Sequence, residues 1–185
     1  MKFLVLLAIV VVAGCTSSVP TLKQYLLRSE ATSEFSVEKQ SAVVGFGAVV
    51  LASYIDGLGL VLESRNGEVR AARDHQWAEP LRDSLRLFMA RETSVVAGQL
   101  IRAYSTGEND WQRRIDLRID QLHGTPTGEA KLVAYWQVFD TEKRTVISEN
   151  GFSESQPLSA DGYDALVVAE KALLIRLAAK VAASL

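Results

Sequence analysis

The spacing of apolar and polar positions changes several times along the chain, and each change predicts an element. Tyr25, Leu26 and Leu27 predict a first strand, and the polar stretch from Ser29 to Ser41 a loop or a broken crossover. From Ala42 to Ile55 the strand formers Val43, Val44, Val49, Val50 and Leu51 predict a central strand, in which Gly45 and Gly47 admit a bulge or a close backbone approach. Gly59 to Glu63 and Glu68 to Ala72 flank Arg65-Asn66-Gly67, and Asn-Gly between two extended runs predicts a hairpin because both residues tolerate positive φ. Trp77, Leu81, Leu85, Phe88 and Val95 then recur at helical spacing, with Pro80 acceptable in the first turn. This predicts a helix from about Glu79 into the nineties. Leu100 to Tyr104 reads as a short strand and Ser105 to Asp110 as a polar loop.

In Arg113 to Gln121, apolar Ile115, Leu117 and Ile119 alternate with charged Asp116, Arg118 and Asp120, as a sheet with one wet face requires. With Glu129 to Phe139 and Thr145 to Phe152 it predicts three antiparallel strands, reversed at Gly124-Thr125-Pro126 and at Asp140 to Lys143. From about Asp161 to Leu185 one apolar stripe, Tyr163, Leu166, Val167, Leu174, Leu177, Val181 and Leu185, predicts a long helix. Glu170 interrupts that stripe. It reads as a side chain at the stripe's edge reaching solvent, with a buried ion pair or an interface contact as the alternatives. The order of elements predicts a single α/β domain: a mixed, largely antiparallel sheet packed with two main helices.

The N-terminus follows a different rule. Ten apolar residues from Phe3 to Val12 stand behind Lys2 and before Ala13-Gly14-Cys15. That is a secretory pattern, and the run is shorter than the roughly 20 apolar residues a membrane-spanning helix needs. Val12-Ala13-Gly14-Cys15 looks like a bacterial lipobox, and Cys15 is the only cysteine of the 185 residues. The expected organisation is a signal peptide over 1–14, a lipidated tether over 15–21 and one domain over 22–185. On that reading Cys15 carries diacylglycerol on its thiol and a further acyl chain, such as palmitate, on the new N-terminus. Thr16, rather than an aspartate, follows the cysteine, so the resemblance implies the outer membrane, facing the periplasm.

Composition narrows the function. The chain carries 20 basic and 22 acidic residues, and loss of residues 1–14 removes only Lys2, leaving 19 against 22 and a net charge of −3. The charges are interspersed, which argues against a nucleic-acid partner. His75 and His123 have no His or Cys at ligand spacing, so no metal site is expected. Asp74-His75 lacks a Gly-x-Ser-x-Gly nucleophile, and Gly45-x-Gly47 lacks the lysine and third glycine of a phosphate loop. His75 reads as a loop histidine bonded locally. Neither catalysis nor a cofactor is expected.

Asp74-His75-Gln76-Trp77-Ala78-Glu79-Pro80-Leu81, preceded by Tyr25-x-Leu27 and followed by Leu132-x-Ala134-x-Trp136, Asp140 and Tyr163-Asp164-Ala165-Leu166-Val167, resembles the ABC-type transport auxiliary lipoprotein family, the PqiC-like lipoproteins. The resemblance runs from Tyr25 to the C-terminus. It departs at Gly107 to Asp110, where the family leads one to expect a more compact aromatic turn after Tyr104. It implies a non-enzymatic α/β lipoprotein of the outer membrane that works with an MCE-domain protein and an inner-membrane component in moving lipids between membranes, and that can assemble into rings. Trp77, Glu79, Pro80 and Leu81 carry the motif, as fold-fixing residues first and as partner contacts second. The alternative function is a monomeric periplasmic lipid carrier, which would need a sizeable apolar pocket.

Overall fold

The computed structural model describes residues 21–31, 43–104 and 111–185. The signal peptide, Cys15 and all of the tether but Thr21 lie outside the described residues, as do most of the Ser29–Ser41 loop and the departure at Gly107 to Asp110. The elements are β1 (Lys23–Tyr25), β2 (Val44–Leu51), β3 (Gly59–Glu63), β4 (Val69–Trp77), α1 (Leu81–Ala97), β5 (Ile101–Arg102), β6 (Arg113–Gly124), β7 (Glu129–Asp140), β8 (Thr145–Pro157) and α2 (Tyr163–Ala182). The predicted class is the observed one: two helices on a mixed sheet.

Strand β6 organises the sheet. One of its edges pairs antiparallel with β7 over its whole length, from Arg113↔Asp140 to Gly124↔Ala130, and β8 pairs antiparallel with β7 beyond it. Its other edge is shared. β2 runs parallel along the first part, and β3 meets the far end at Leu62↔Gly124. β4 returns antiparallel on β3, β1 lies parallel to the end of β4, and β5 lies parallel to β2. Alternation sets the faces: Ile115, Leu117, Ile119, Leu132, Ala134 and Val138 are buried to about 1 % exposure or less beneath the helices. α1 and α2 pack on each other, with α2 over β7 and β8 and α1 over β2 and β5. Leu85, Met89, Leu173, Leu174 and Leu177 are wholly buried there. Each such side chain contributes about 1.5–3 kcal/mol of transfer free energy.

Close approach explains both glycines of β2. A Cβ on Gly45 would lie 2.5 Å from the Trp111 ring, and one on Gly47 2.4 Å from Asp116 Oδ1. The register shifts between Phe46 and Val49. At this bulge the Ala48 N–H donates to Asp116 Oδ1 at 3.0 Å, and Asp116 also accepts from Arg114 and from Gln137.

Several boundaries differ from expectation for identifiable reasons. β1 lies two residues earlier, and Leu27 is buried beyond its end. β2 stops at Leu51, because Ile55 turns back to bond Ala52 O at 3.0 Å. β4 continues past Ala72 to Trp77, since β1 pairs with His75, Gln76 and Trp77. Trp77 therefore closes a strand instead of opening the helical stripe, and His75 is a strand residue instead of a loop one. Within α1, Val95 is only half-buried while Thr93 and Ser94 are buried. The reason is local: Gly98, at φ 65°, reverses the chain so that Ile101 N–H reaches Ser94 Oγ at 2.8 Å, and that hydroxyl donates to Ala90 O. Glu170 does not reach solvent, and among the described residues it joins no ion pair. It is 1 % exposed, its Oε2 has no hydrogen-bond partner, and burial pushes its carboxyl up to about 8.

Candidate functional site

The motif residues meet where β1, β4, α1 and α2 converge. Trp77 and Leu81 are buried in the core cluster. The Trp77 N–H donates to Leu58 O at 2.7 Å and the Ala78 N–H to Tyr25 O at 2.8 Å, which ties the β3–β4 hairpin to β1. Pro80 cannot donate an N–H, and its carbonyl accepts from the Asp83 and Ser84 N–H groups and from Ser84 Oγ, starting α1 without a side-chain cap. Glu79 stays at the surface and pairs with Arg28 at 2.8 Å. Of the four motif residues, two are interior, Pro80 shapes the backbone and Glu79 is available to solvent.

Beside this junction lies a polar cluster that sequence reading did not assemble, although it quoted each of its residues except Lys23. The Tyr25 hydroxyl donates to Asp164 Oδ1 at 2.6 Å and sits 2.7 Å from His75 Nδ1; with its single proton given to the carboxylate, it accepts from His75 Nδ1–H. The His75 ring stacks on Tyr163 at 4.3 Å, and Lys23 pairs with Asp164 at 3.2 Å. Desolvation first, and then the bond to Asp164, push the Tyr25 hydroxyl up to about 12. The bonds from Tyr25 and Lys23 hold the Asp164 carboxyl below its ordinary value. Asp164 also occupies the first turn of α2, where a negative charge complements the helix dipole. The cluster clamps the start of α2 to β1 and β4. The one signal in the sequence is that Tyr25, His75 and Tyr163-Asp164 all sit within the motif pieces; nothing in their spacing joins them.

His123 is buried at the end of β6, with Nδ1 3.3 Å from Gly124 O and 3.8 Å from Glu63 Oε2. Among the described residues no three His, Cys, Asp or Glu side chains come together as metal ligands, and no helix is long and apolar enough to cross a membrane. Three surface features could receive a partner. A groove of about 520 Å³ between α1 and α2 is lined by Phe88, Val167, Val168, Ala172 and Ile175, with Glu92 and Lys171 at its polar part. A second of about 370 Å³ lies on the sheet face away from the helices, between Val50, Arg118, Tyr135, Gln137 and Glu149. The third, about 490 Å³, follows β8 past Phe152 to Lys180 of α2 and Ser184 just beyond its end.

The profile of the family described as ABC-type transport auxiliary lipoprotein component matches residues 25–182. No curated protein matches the chain. Among solved structures, a Xanthomonas campestris protein of the DUF330 family is 15% identical with a TM-score of 0.67, over 86% of this chain and 92% of that one. Another, described only as an uncharacterized protein, is 19% identical with a TM-score of 0.66, over 76% of this chain and 97% of that one. The PelC dodecamer of Paraburkholderia phytofirmans, 9% identical over 78% of this chain and 92% of that one, has a TM-score of 0.42 and is too distant to argue from. At these identities the first two show a shared fold and no more.

Proposed function

The chain belongs to the family of ABC-type transport auxiliary lipoprotein components, and on that premise we propose that it is the outer-membrane docking component of an MCE-type lipid transport system. Acylated Cys15 holds it on the periplasmic face of that membrane. The domain assembles into a homo-oligomeric ring, receives the periplasmic end of an MCE-domain protein driven by an inner-membrane component, and so supports envelope integrity. The observation that carries this reading is the family match over residues 25–182, nearly the whole domain. The apolar run ending at the sole cysteine supports the anchor. Trp77, Glu79, Pro80 and Leu81 are assigned to the junction that sets the domain's shape, with Glu79 as the one side chain placed to touch a partner.

One observation favours the second reading, a monomeric lipid carrier: the groove between the helices has the size of small-ligand sites and an apolar floor. A single experiment separates the two. The full-length protein, tagged at its C-terminus and purified from detergent-solubilised membranes, is expected to co-purify with an MCE protein and to give an oligomer by light scattering. A strict monomer with bound phospholipid and no MCE protein rejects docking in favour of the carrier.

A further inference from the structure

Helix α2 is apolar on two opposite faces. Leu166, Leu173, Leu177 and Val181 are buried against the sheet and α1. On the far side Val168, Ala172, Ile175, Ala179 and Ala182 follow one another at steps of four, three, four and three. Val168 is 63 % exposed and Ile175 45 %, and the three alanines are half-buried. A surface helix ordinarily turns charged and polar residues to this side. Alternating steps of four and three are instead the seam of a coiled coil, which meets a second helix on each successive turn. At 1.5 Å per residue the seam is about 21 Å long.

The chemistry of the seam selects its occupant. Alanine at Ala172, Ala179 and Ala182 leaves room for another helix at the short end of the 8–10 Å packing range. Helices that lie on lipid present Trp, Phe or Leu, none of which stands on this seam. A second copy is disfavoured by charge, because Lys171 and Arg176 hold the two positions that flank the seam. Parallel copies would set Lys171 against Arg176, and antiparallel copies would set the Arg176 side, which also carries Lys180, against itself. Toward α1, Lys171 shares its groove with Glu30 and Glu92, so the charge there is answered. Toward β8 it is not: Glu154 is held by Arg176 at 2.7 Å, and Lys180 has no ion-pair partner among the described residues.

We propose that this face of α2 receives an amphipathic helix of the docking partner, apolar along its own seam and acidic along the flank that lies over Arg176 and Lys180. Val168 and Ile175 enter holes on that helix, and the alanines between them admit its side chains in return. The inference rests on the docking reading above and names the surface that does it.

The test uses the full-length protein purified from detergent-solubilised membranes, with the MCE protein recovered per chain as the readout. Ile175→Glu sets a carboxylate in the seam and is expected to lower that recovery at least tenfold. Lys180→Glu leaves the seam intact and is expected to lower it several-fold. Both variants should keep the melting temperature and the oligomer size, since both side chains are exposed. Arg65→Glu, an exposed charge reversal on the β3–β4 turn, is the control and should recover the MCE protein in full. Full recovery with Ile175→Glu and Lys180→Glu alike overturns the face and leaves docking standing. Loss with Ile175→Glu alone keeps the helix and overturns its acidic flank. An oligomer lost together with the MCE protein would show that the face joins copies of this chain. Binding of Cys15→Ala protein to phosphatidylglycerol vesicles, abolished by Ile175→Glu, would give the face to lipid, and either result overturns the partner helix. No MCE protein with the unsubstituted chain removes the docking reading and this inference with it.

Discussion

At the scale of single residues, Glu170 is where the chain departs furthest from what its apolar stripe needs. A leucine there would fit the pattern; instead a carboxyl is buried with Oε2 unpartnered. Its value is about 8 in the fold against 4.5 in the unfolded chain. Below pH 4.5 it is protonated in both states and does not affect stability. Between 4.5 and 8 the unfolded state releases a proton that the folded state keeps, so stability falls as pH rises, and above 8 the loss is complete. At about 1.4 kcal/mol per unit the loss reaches up to about 3 kcal/mol at pH 7. Glu170→Gln removes the titration, so its stability relative to the unsubstituted protein should rise steadily between pH 4.5 and 7 in urea unfolding. A difference that is the same at both ends of that range would show that Glu170 is ionised in the fold.

At the scale of elements, the sequence was most legible where side chains alternate against one buried face. Ile115, Leu117 and Ile119 mark β6, and Asn66-Gly67 marks the β3–β4 turn, where Gly67 has φ 78°. Legibility failed where pairing, not apolar content, makes the strand. The last part of β4 is polar: β1 bonds His75 and Gln76 at a sheet end, while Arg73 and Asp74 lie where the register with β3 shifts; the last five residues of β8, Ser153 to Pro157, hold their place through β7 and through Arg176 bonds to Glu154 and Gln156. The clamp of Tyr25, His75, Tyr163 and Asp164 was illegible as a unit because its members are spread over most of the chain. Gly45 shows a readable element with an unreadable partner: a close approach is predicted, but not that Trp111 makes it. Gly45→Ala would force a buried ring to move, costing about 1–3 kcal/mol. Gly57→Ala, with nothing within 4 Å, is the control and should be neutral or gain up to about 1 kcal/mol in thermal unfolding. Equal melting temperatures for the two variants would mean that the Trp111 ring moves aside freely.

At the scale of the whole molecule, the question is what holds a domain of this kind at a membrane, since none of its described helices can cross one. The first described strand begins at Lys23, eight residues after Cys15, so an acylated cysteine would keep β1, and the junction it shares with β4 and α2, within about 30 Å of the lipid. Multiple acyl chains make a stable anchor where a single one gives marginal, reversible binding, because each buried methylene contributes about 0.8 kcal/mol. The charges along the sequence are interspersed and the net charge of the whole chain is −2, which gives little general attraction to anionic lipid. Cys15→Ala should therefore leave the signal sequence uncut at the lipobox and the protein unlipidated. After a high-salt wash it should be lost from the outer-membrane fraction, while the domain keeps its melting temperature because Cys15 precedes every described element. Persistence of Cys15→Ala in washed outer membranes would show that the domain or its partners hold it there, and would shift the anchoring role from lipid to protein contacts.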